Sequence, residues 1–591
     1  MLHLNGWPRC LTLLLLFCPA YLSAQILPAH QRHNWQAVSD IPVVNPSMPV
    51  ISILNYGGWN DSSADNSTAL SQAIQALGNT GGIVHFPAGK YRFNSTQQLP
   101  AGIIIRGAGA NDTRFYFDLG GSPSNCFEVL GSGRGNLRDV IQGYTEGSSM
   151  LQVSDTSGFR AGTFAEIRED NGSWDVVPAT WATYSVGQLL LIDSVRNNQV
   201  YLRHPLRITY DTALHPQIRP ISLKQGNGFS CFYIERIDEP ASGAGYNFLF
   251  EQAAYGFLRG IESNKSVGSH VMISLSSHIQ VQGNYFHDAF TFDGAGTRGY
   301  GVTLDNHSGS CLVENNIFRK LRHAMMVKYG ANGNVLAYNY SLEPRRSEAI
   351  PDFSGDISLH GHYAYANLFE GNVVQNIIID HYWGPSGPDN VFLRNRSELY
   401  GIIATTGTPQ TAEQAFIGNE TTNTGSLMGN FSIPGSGHFS YGNSILGTVQ
   451  PSGTGIVNDT SYYRKTVPAF WYIPVPWPSI GYPNALNQYM IPAKQRYMEQ
   501  HYSMCSETEL GNPMTIKELS QPDITVFPNP SQGIINLPEG EKVSYIKDLQ
   551  GRNINWAQSG SKVNLTGAAP GMYLIHTVSG KRVRVVVLSQ P

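Results

Sequence analysis

Hydrophobic and polar positions change rhythm several times along this chain. Ala69, Leu70, Ala73, Ile74 and Leu77 recur at helical spacing behind Asp61, Asp65 and Asn66, which predicts a short amphipathic helix with polar residues at its start. The rhythm then shortens. Gly81 to Tyr91 (GGIVHFPAGKY) reads as strand, turn, strand, and Pro100 to Gly109 as a further turn and strand. Strand-like runs at 150–153, 165–168, 189–192 and 199–202 interrupt this pattern and predict a small inserted β element over about 137–215.

A repeat begins near residue 225. Six apolar strands each end in Asn: 279–284, 311–316, 334–339, 367–372, 390–395 and 414–419. The steps from Asn316 to Asn339, Asn372 to Asn395 and Asn395 to Asn419 are 23, 23 and 24 residues. The steps from Asn284 to Asn316 and from Asn339 to Asn372 are 32 and 33, one coil with a longer loop. A period in the low twenties predicts a solenoid whose turns bury their inward residues only by stacking. Asn at a fixed turn can bond its copies above and below, so these six read as a structural ladder rather than as catalytic groups.

Beyond the repeat, 460–512 is rich in aromatic residues and proline and reads as a cover for the last coil, which a solenoid needs. A linker over 513–522 leads to 523–591, where strands alternate with tight turns around Phe527-Pro528-Asn529-Pro530, Asp548 to Arg552 and Pro570 to Leu574. At the other end, Arg9, the apolar run Leu11 to Phe17 and Leu22-Ser23-Ala24 read as a signal peptide over 1–24, followed by a leader over 25–46. The apolar run is too short for a membrane span, which needs about 20 residues.

Composition narrows the function classes. Charged residues make up only 14% of 591 and the net charge is −4, which excludes the basic stripe of a nucleic-acid binder. Of six cysteines, Cys126, Cys231, Cys311 and Cys505 lie outside the signal and show no CxxC spacing, so a thiolate metal site is not indicated and their pairing stays open.

The run from Asn55 to Gly109 resembles the N-terminal part of the pectate-lyase superfamily, where a short helix caps the open end of a β-helix and motifs like GGxVxFPAGxY and LPxGxxxRGAG form the first coils. The resemblance implies an all-β chain: a right-handed parallel β-helix over 47–512 with an N-terminal capping helix, the inserted β element and the C-terminal cap. The last 70 or so residues resemble the C-terminal sorting domain of type IX secretion. That implies an Ig-like β-sandwich, passage through the periplasm and outer membrane, and release or surface attachment.

Candidate chemistry comes from the strand before each Asn strand. The runs 302–307, 326–329, 357–362 and 378–383 each pass from apolar to ionisable at a similar distance from their Asn. Coils stack about 4.8 Å apart, so Asp305, His307, Lys328, Tyr329, His360, His362, Asp380 and His381 are expected in one patch. A lone histidine is more often structural, but several ionisable groups in one register point to a site. Arg322 and His323 stand at the edge of this patch, Trp383 beside it, and Arg345 and Arg346 in the longer loop, where they can meet an acidic sugar.

Three functions fit an extracellular polysaccharide as partner. β-Elimination of a uronic acid needs a base for the C5 proton, neutralisation of the carboxylate by Arg or a bound Ca²⁺, and an acid for the leaving oxygen. Lys328, Arg322, His323, Tyr329 and His360 can fill those roles. Hydrolysis needs two carboxyl groups flanking the bond, and Asp305, Asp356 and Asp380 are the candidates. A noncatalytic adhesin would need only aromatic platforms. The mix of histidines and bases favours the lyase, with Lys328, His360, Asp380, Asp305, Arg322 and His323 as catalytic candidates. Tyr329, His362, His381, Trp383, Arg345 and Arg346 are the substrate-binding candidates.

Overall fold

The structure, a computed structural model, describes residues 25–40, 48–240, 245–293, 296–345, 355–505 and 526–588, apart from 530, 549–552, 566 and 580. The signal peptide over 1–24, the linker over 513–522 and Arg346 lie outside the described residues. The chain divides into two compact units, 1–511 and 512–591.

The first unit is a parallel β-helix. Its first sheet holds twelve parallel strands, from Val50–Ser52 to Phe439–Tyr441, each paired in register with the next coil. The second and third sheets form the other two flanks. They fuse where Val373–Ile379 and Arg396–Ala404 bend around the corner without a break, with a register shift between Val374 and Asn376. The helix Ser67–Leu77 buries Ala69, Leu70, Ala73 and Leu77 against the first coils, because only its apolar stripe matches the open end of the core.

Each coil turns its apolar residues inward and identical types stack. Phe369, Phe392 and Phe416 lie parallel with ring centroids 4.8 and 5.0 Å apart. Asn284, Asn316, Asn339, Asn372, Asn395, Asn419 and Asn443 form a continuous buried ladder, each Nδ2 donating to the next Oδ1 at 2.8 to 3.1 Å. A second, shorter ladder joins Asn334, Asn367 and Asn390 at 2.9 Å per step. Each amide also bonds the backbone. Asn339 Nδ2 donates to the Val313 carbonyl at 2.9 Å, and its Oδ1 accepts from both the backbone N–H and Nδ2 of Asn316 at 3.0 Å.

Asn339→Ala removes that amide and takes a partner away from two buried donors and two buried acceptors. The expected loss is about 1–3 kcal/mol for each group that water cannot reach, read as a lower Tm in the purified protein. Loss of activity at unchanged Tm would instead make Asn339 functional.

Of the segment 460–512, expected to cover the last coil, the described residues 460–505 run back along the flank of the solenoid instead. Tyr462 donates its N–H to Glu370 Oε2 at 3.0 Å, Arg464 Nε bonds Glu314 Oε1 at 2.9 Å, and the Met504 N–H meets the Gly283 carbonyl at 2.8 Å. Cys505 then closes a disulfide with Cys231, 274 residues earlier. The reason is chemical. Glu314 and Glu370 project from the outer face of the first sheet and are fully buried, so they need the strap's donors. Burial pushes Glu370 up to about 7 despite those bonds. Residues 25–40 lie over the same face, with Trp35 Nε1 bonded to the Ala366 carbonyl at 2.8 Å and its ring stacked on Tyr462.

The insertion is a closed barrel of six antiparallel strands, from Arg138–Gln142 to Gln217–Ile221. It reaches past the expected boundary at 215, because Phe164–Arg168 pairs with Gln217–Ile221 along its whole length. The barrel is seated on the turns that follow the third sheet. Buried Arg207 bonds Asn332 Oδ1 at 2.7 Å and Ser310 Oγ at 2.8 Å, and Tyr365 donates to the Gly187 carbonyl at 2.8 Å.

The second unit has six strands in two three-stranded antiparallel sheets. Ile535, Ile546, Val563, Ile575 and Val585 from both sheets make its own core.

Candidate functional site

The third sheet sets one outward row. Leu304, Val327, Leu359 and Ile379 are paired in register and point into the core. The next residue of each strand therefore points out. These are Asp305, Lys328, His360 and Asp380, on four successive coils, with Ser274 before them and Thr405 after.

Within the row the groups pair. Lys328 Nζ is 3.9 Å from Asp305 Oδ2. His360 Nδ1 bonds Asp380 Oδ2, and Ser358 Oγ lies 3.4 Å from the same oxygen. Burial works against the Asp380 charge, but the charge and hydrogen bond of His360 outweigh it and hold the carboxyl below its usual range. Asp305 goes the other way. Burial raises it, Lys328 only partly offsets this, and its Oδ1 is buried without a partner among the described residues.

Other predicted residues lie where the chain leaves the sheet. Asn306, His307, Tyr329 and His362 have φ of 48, 60, 46 and 46°, the left-handed region, so the chain turns sharply and the row ends. His307 is not in the patch. It sits under the barrel, with Nδ1 3.0 Å from Glu166 Oε1 and Nε2 2.6 Å from the Tyr184 carbonyl. His381 is also turned away, its Nε2 accepting from the Thr411 N–H at 2.8 Å, which fixes it as a structural group. His362 is fully buried with neither ring nitrogen bonded among the described residues, and burial drops it to about 4.

His323 approaches the row from the start of its strand. It is buried, bonded to the Gly355 carbonyl at 2.9 Å, pulled down to about 3 by burial and then by His360, and 5.9 Å from the His360 ring. It is a neutral buttress for His360. Arg322 precedes the same strand, its N–H on the Gly299 carbonyl, and Arg345 is exposed beyond the second sheet, its N–H on Leu321; neither is on the row. The corner formed by His287, Asp288 and Lys320 satisfies itself: His287 lies between Asp288 at 3.0 Å and Glu262 at 3.2 Å, and Lys320 is 3.7 Å from Asp288. Among the described residues no three His, Cys, Asp or Glu side chains are placed to hold a metal.

Trp383 and Tyr329 were expected beside the row, but the rest of the aromatic wall was not. Trp181, in a loop of the barrel, reaches over the row and is 42% exposed. Its ring lies 5.3 Å from Lys328 Nζ, 4.8 Å from His362, 5.4 Å from Trp383 and 5.6 Å from Tyr329. Tyr382 continues the wall, 73% exposed and parallel to His360 at 6.5 Å. Tyr246 was missed as well. Burial and then Asp305 push it up to about 12. Nothing in the sequence says where the loop that carries Trp181 lands.

Residues 50–118 match the family described as rhamnogalacturonase A/epimerase, pectate lyase-like. The opening coils are pectate-lyase-like. Residues 525–588 match the secretion system C-terminal sorting domain, a type IX export signal, and the protein is delivered to the cell surface or secreted. No helix among the described residues is long and apolar enough to cross a membrane.

Several solved structures are similar to the chain. The tailspike protein gp49 from Pseudomonas phage LKA1 is 15% identical over 63% of this chain and 64% of its own, with a TM-score of 0.49. The Pseudomonas phage phi297 tailspike gp61 is 15% identical over 69% and 66%, also at 0.49. The Azotobacter vinelandii mannuronan C-5 epimerase AlgE4 A-module is 11% identical over 69% and 90%, at 0.34. The chain spans slightly under two thirds of the length of the two tailspikes. A comparison with curated proteins finds no match.

Proposed function

We propose that this protein cleaves a uronic-acid-containing extracellular polysaccharide by β-elimination. The observation that carries this reading is the row itself: a lysine and an Asp-oriented histidine stand on adjacent coils beside exposed aromatic rings. With Nδ1 occupied by Asp380, His360 presents Nε2 to the groove as a base for the C5 proton. Lys328 then faces the carboxylate whose negative charge grows as that proton leaves. The electron pair of the C5–H bond becomes the C4=C5 double bond, the C4–O bond breaks, and the leaving oxygen takes a proton. Water in the open groove supplies that proton.

Spacing weighs against the hydrolase. Asp305 and Asp380 are three coils apart, roughly 14 Å at the stacking distance of a sheet. Paired carboxyl groups in glycosidases stand about 5–9.5 Å apart. Asp356 cannot replace either, because it is buried and its Oδ2 is held by the Gln375 N–H at 2.7 Å. Incubation with polygalacturonate, alginate and glucuronan separates the readings. A lyase yields the ultraviolet absorbance of an unsaturated uronate together with new reducing ends. Reducing ends without that absorbance mean hydrolysis, and binding with neither product means an adhesin.

A further inference from the structure

The barrel faces the row with more than Trp181. Arg168 ends the strand Phe164–Arg168, on the side that meets the solenoid. Its guanidinium lies flat over the Tyr184 ring at 3.7 Å. Tyr184 in turn touches His307 through its carbonyl at 2.6 Å, and His307 is 6.0 Å from the Tyr329 ring. Arg168 is therefore lodged at the seam between the barrel and the coils that carry Asp305 and Lys328.

Among the described residues this cation forms no ion pair. Its Nε is buried with no hydrogen-bond partner among the described residues. The nearest carboxylate on its own strand, Glu166, is already engaged by Arg219 on one oxygen and by His307 at 3.0 Å on the other. Burial, and then the like charge of Arg219, hold Arg168 below its usual basicity, as expected of a cation short of negative charge. Arg134, at the start of the insertion, is exposed, with its Nε on Gln252 Oε1 at 3.0 Å. Arg168 is half-buried with its Nε shut off from solvent, and the rest of its planar guanidinium is well matched to a carboxylate.

We propose that the inserted barrel is the substrate-reading wall of the groove, with Arg168 receiving the carboxylate of an acidic sugar and Trp181 stacking on the sugar beside it. This rests on the glycan-cleaving reading above and assigns the barrel a role in selecting charged over neutral chains. The row performs the bond-breaking and the barrel chooses what is held against it. The Tyr184 ring packs against the guanidinium, and a carboxylate would bind in the plane of the fork through two N–H groups of one edge.

Titration calorimetry tests this with oligogalacturonate, oligomannuronate and their carboxyl-reduced counterparts. The wild-type protein should bind an acidic oligosaccharide at least about tenfold more tightly than the same chain with its carboxyls reduced. Arg168→Ala should weaken the acidic ligand about 10–100-fold and leave the reduced ligand unchanged. Arg168→Lys should recover part of the loss, since it keeps the charge without the fork. Trp181→Ala should weaken both ligands alike. Unchanged Tm in each variant keeps the comparison on binding. Equal affinity for acidic and reduced chains, no binding of any acidic oligosaccharide, or an Arg168→Ala variant that binds like wild type would overturn the proposal. An acidic ligand held through Arg168 but never cleaved would leave it standing and sink the lyase instead.

Discussion

Replacing His360 by alanine is expected to lower kcat on a uronate polymer by about 10²–10⁴-fold, the contribution of one positioned acid–base group. KM should change little, because binding is spread over aromatic and cationic groups along the wall. Lys328→Ala should fall in the same range through a different loss, that of the charge facing the developing carbanion. Asp380→Asn should follow His360→Ala in kcat, because an amide donates where the carboxylate accepts and turns the imidazole to the wrong tautomer. Steady-state kinetics on the three variants, with Tm as the control for folding, measure this. Full turnover in Lys328→Ala, combined with an inactive Asp305→Asn, would refute the lyase assignment.

Deleting residues 523–591 should abolish delivery to the exterior while leaving the solenoid folded. The two parts are separate compact units, each with its own apolar core, so removing the second strips no buried surface from the core of the first. Fractionation followed by immunoblotting should find the truncated chain in the periplasm, with the Tm of the first unit retained. Normal amounts at the surface would show that the sorting domain is dispensable.

Much of the fold was legible because a solenoid writes its period into the sequence. Asn339 and Asn372 recur at fixed turns because only an amide meets both neighbours at once, and the outward row was readable for the same reason: Asp305, Lys328, His360 and Asp380 share a register with the buried Leu304, Val327, Leu359 and Ile379. Register fails where the chain turns after a strand. His307 was drawn into the patch by counting, yet its left-handed turn sends it to Glu166, while His381, one residue past the row, is held by Thr411. Contacts across long stretches left no trace. Trp181 over Lys328, Arg464 on Glu314 and Cys505 on Cys231 join parts of the chain 147, 150 and 274 residues apart, and no local pattern encodes such pairs.

The disulfide between Cys231 and Cys505 has a consequence for survival outside the cell, where proteases are encountered and thiols stay oxidised. Asp305, Lys328, His360 and Asp380 all lie between the two cysteines. A single proteolytic cut anywhere in that interval opens the chain but separates nothing, because the two fragments remain one covalent molecule. The asparagine stack and the strap then hold the severed ends in place. A nicked chain of this design keeps its outward row assembled until a second cut or a reductant arrives.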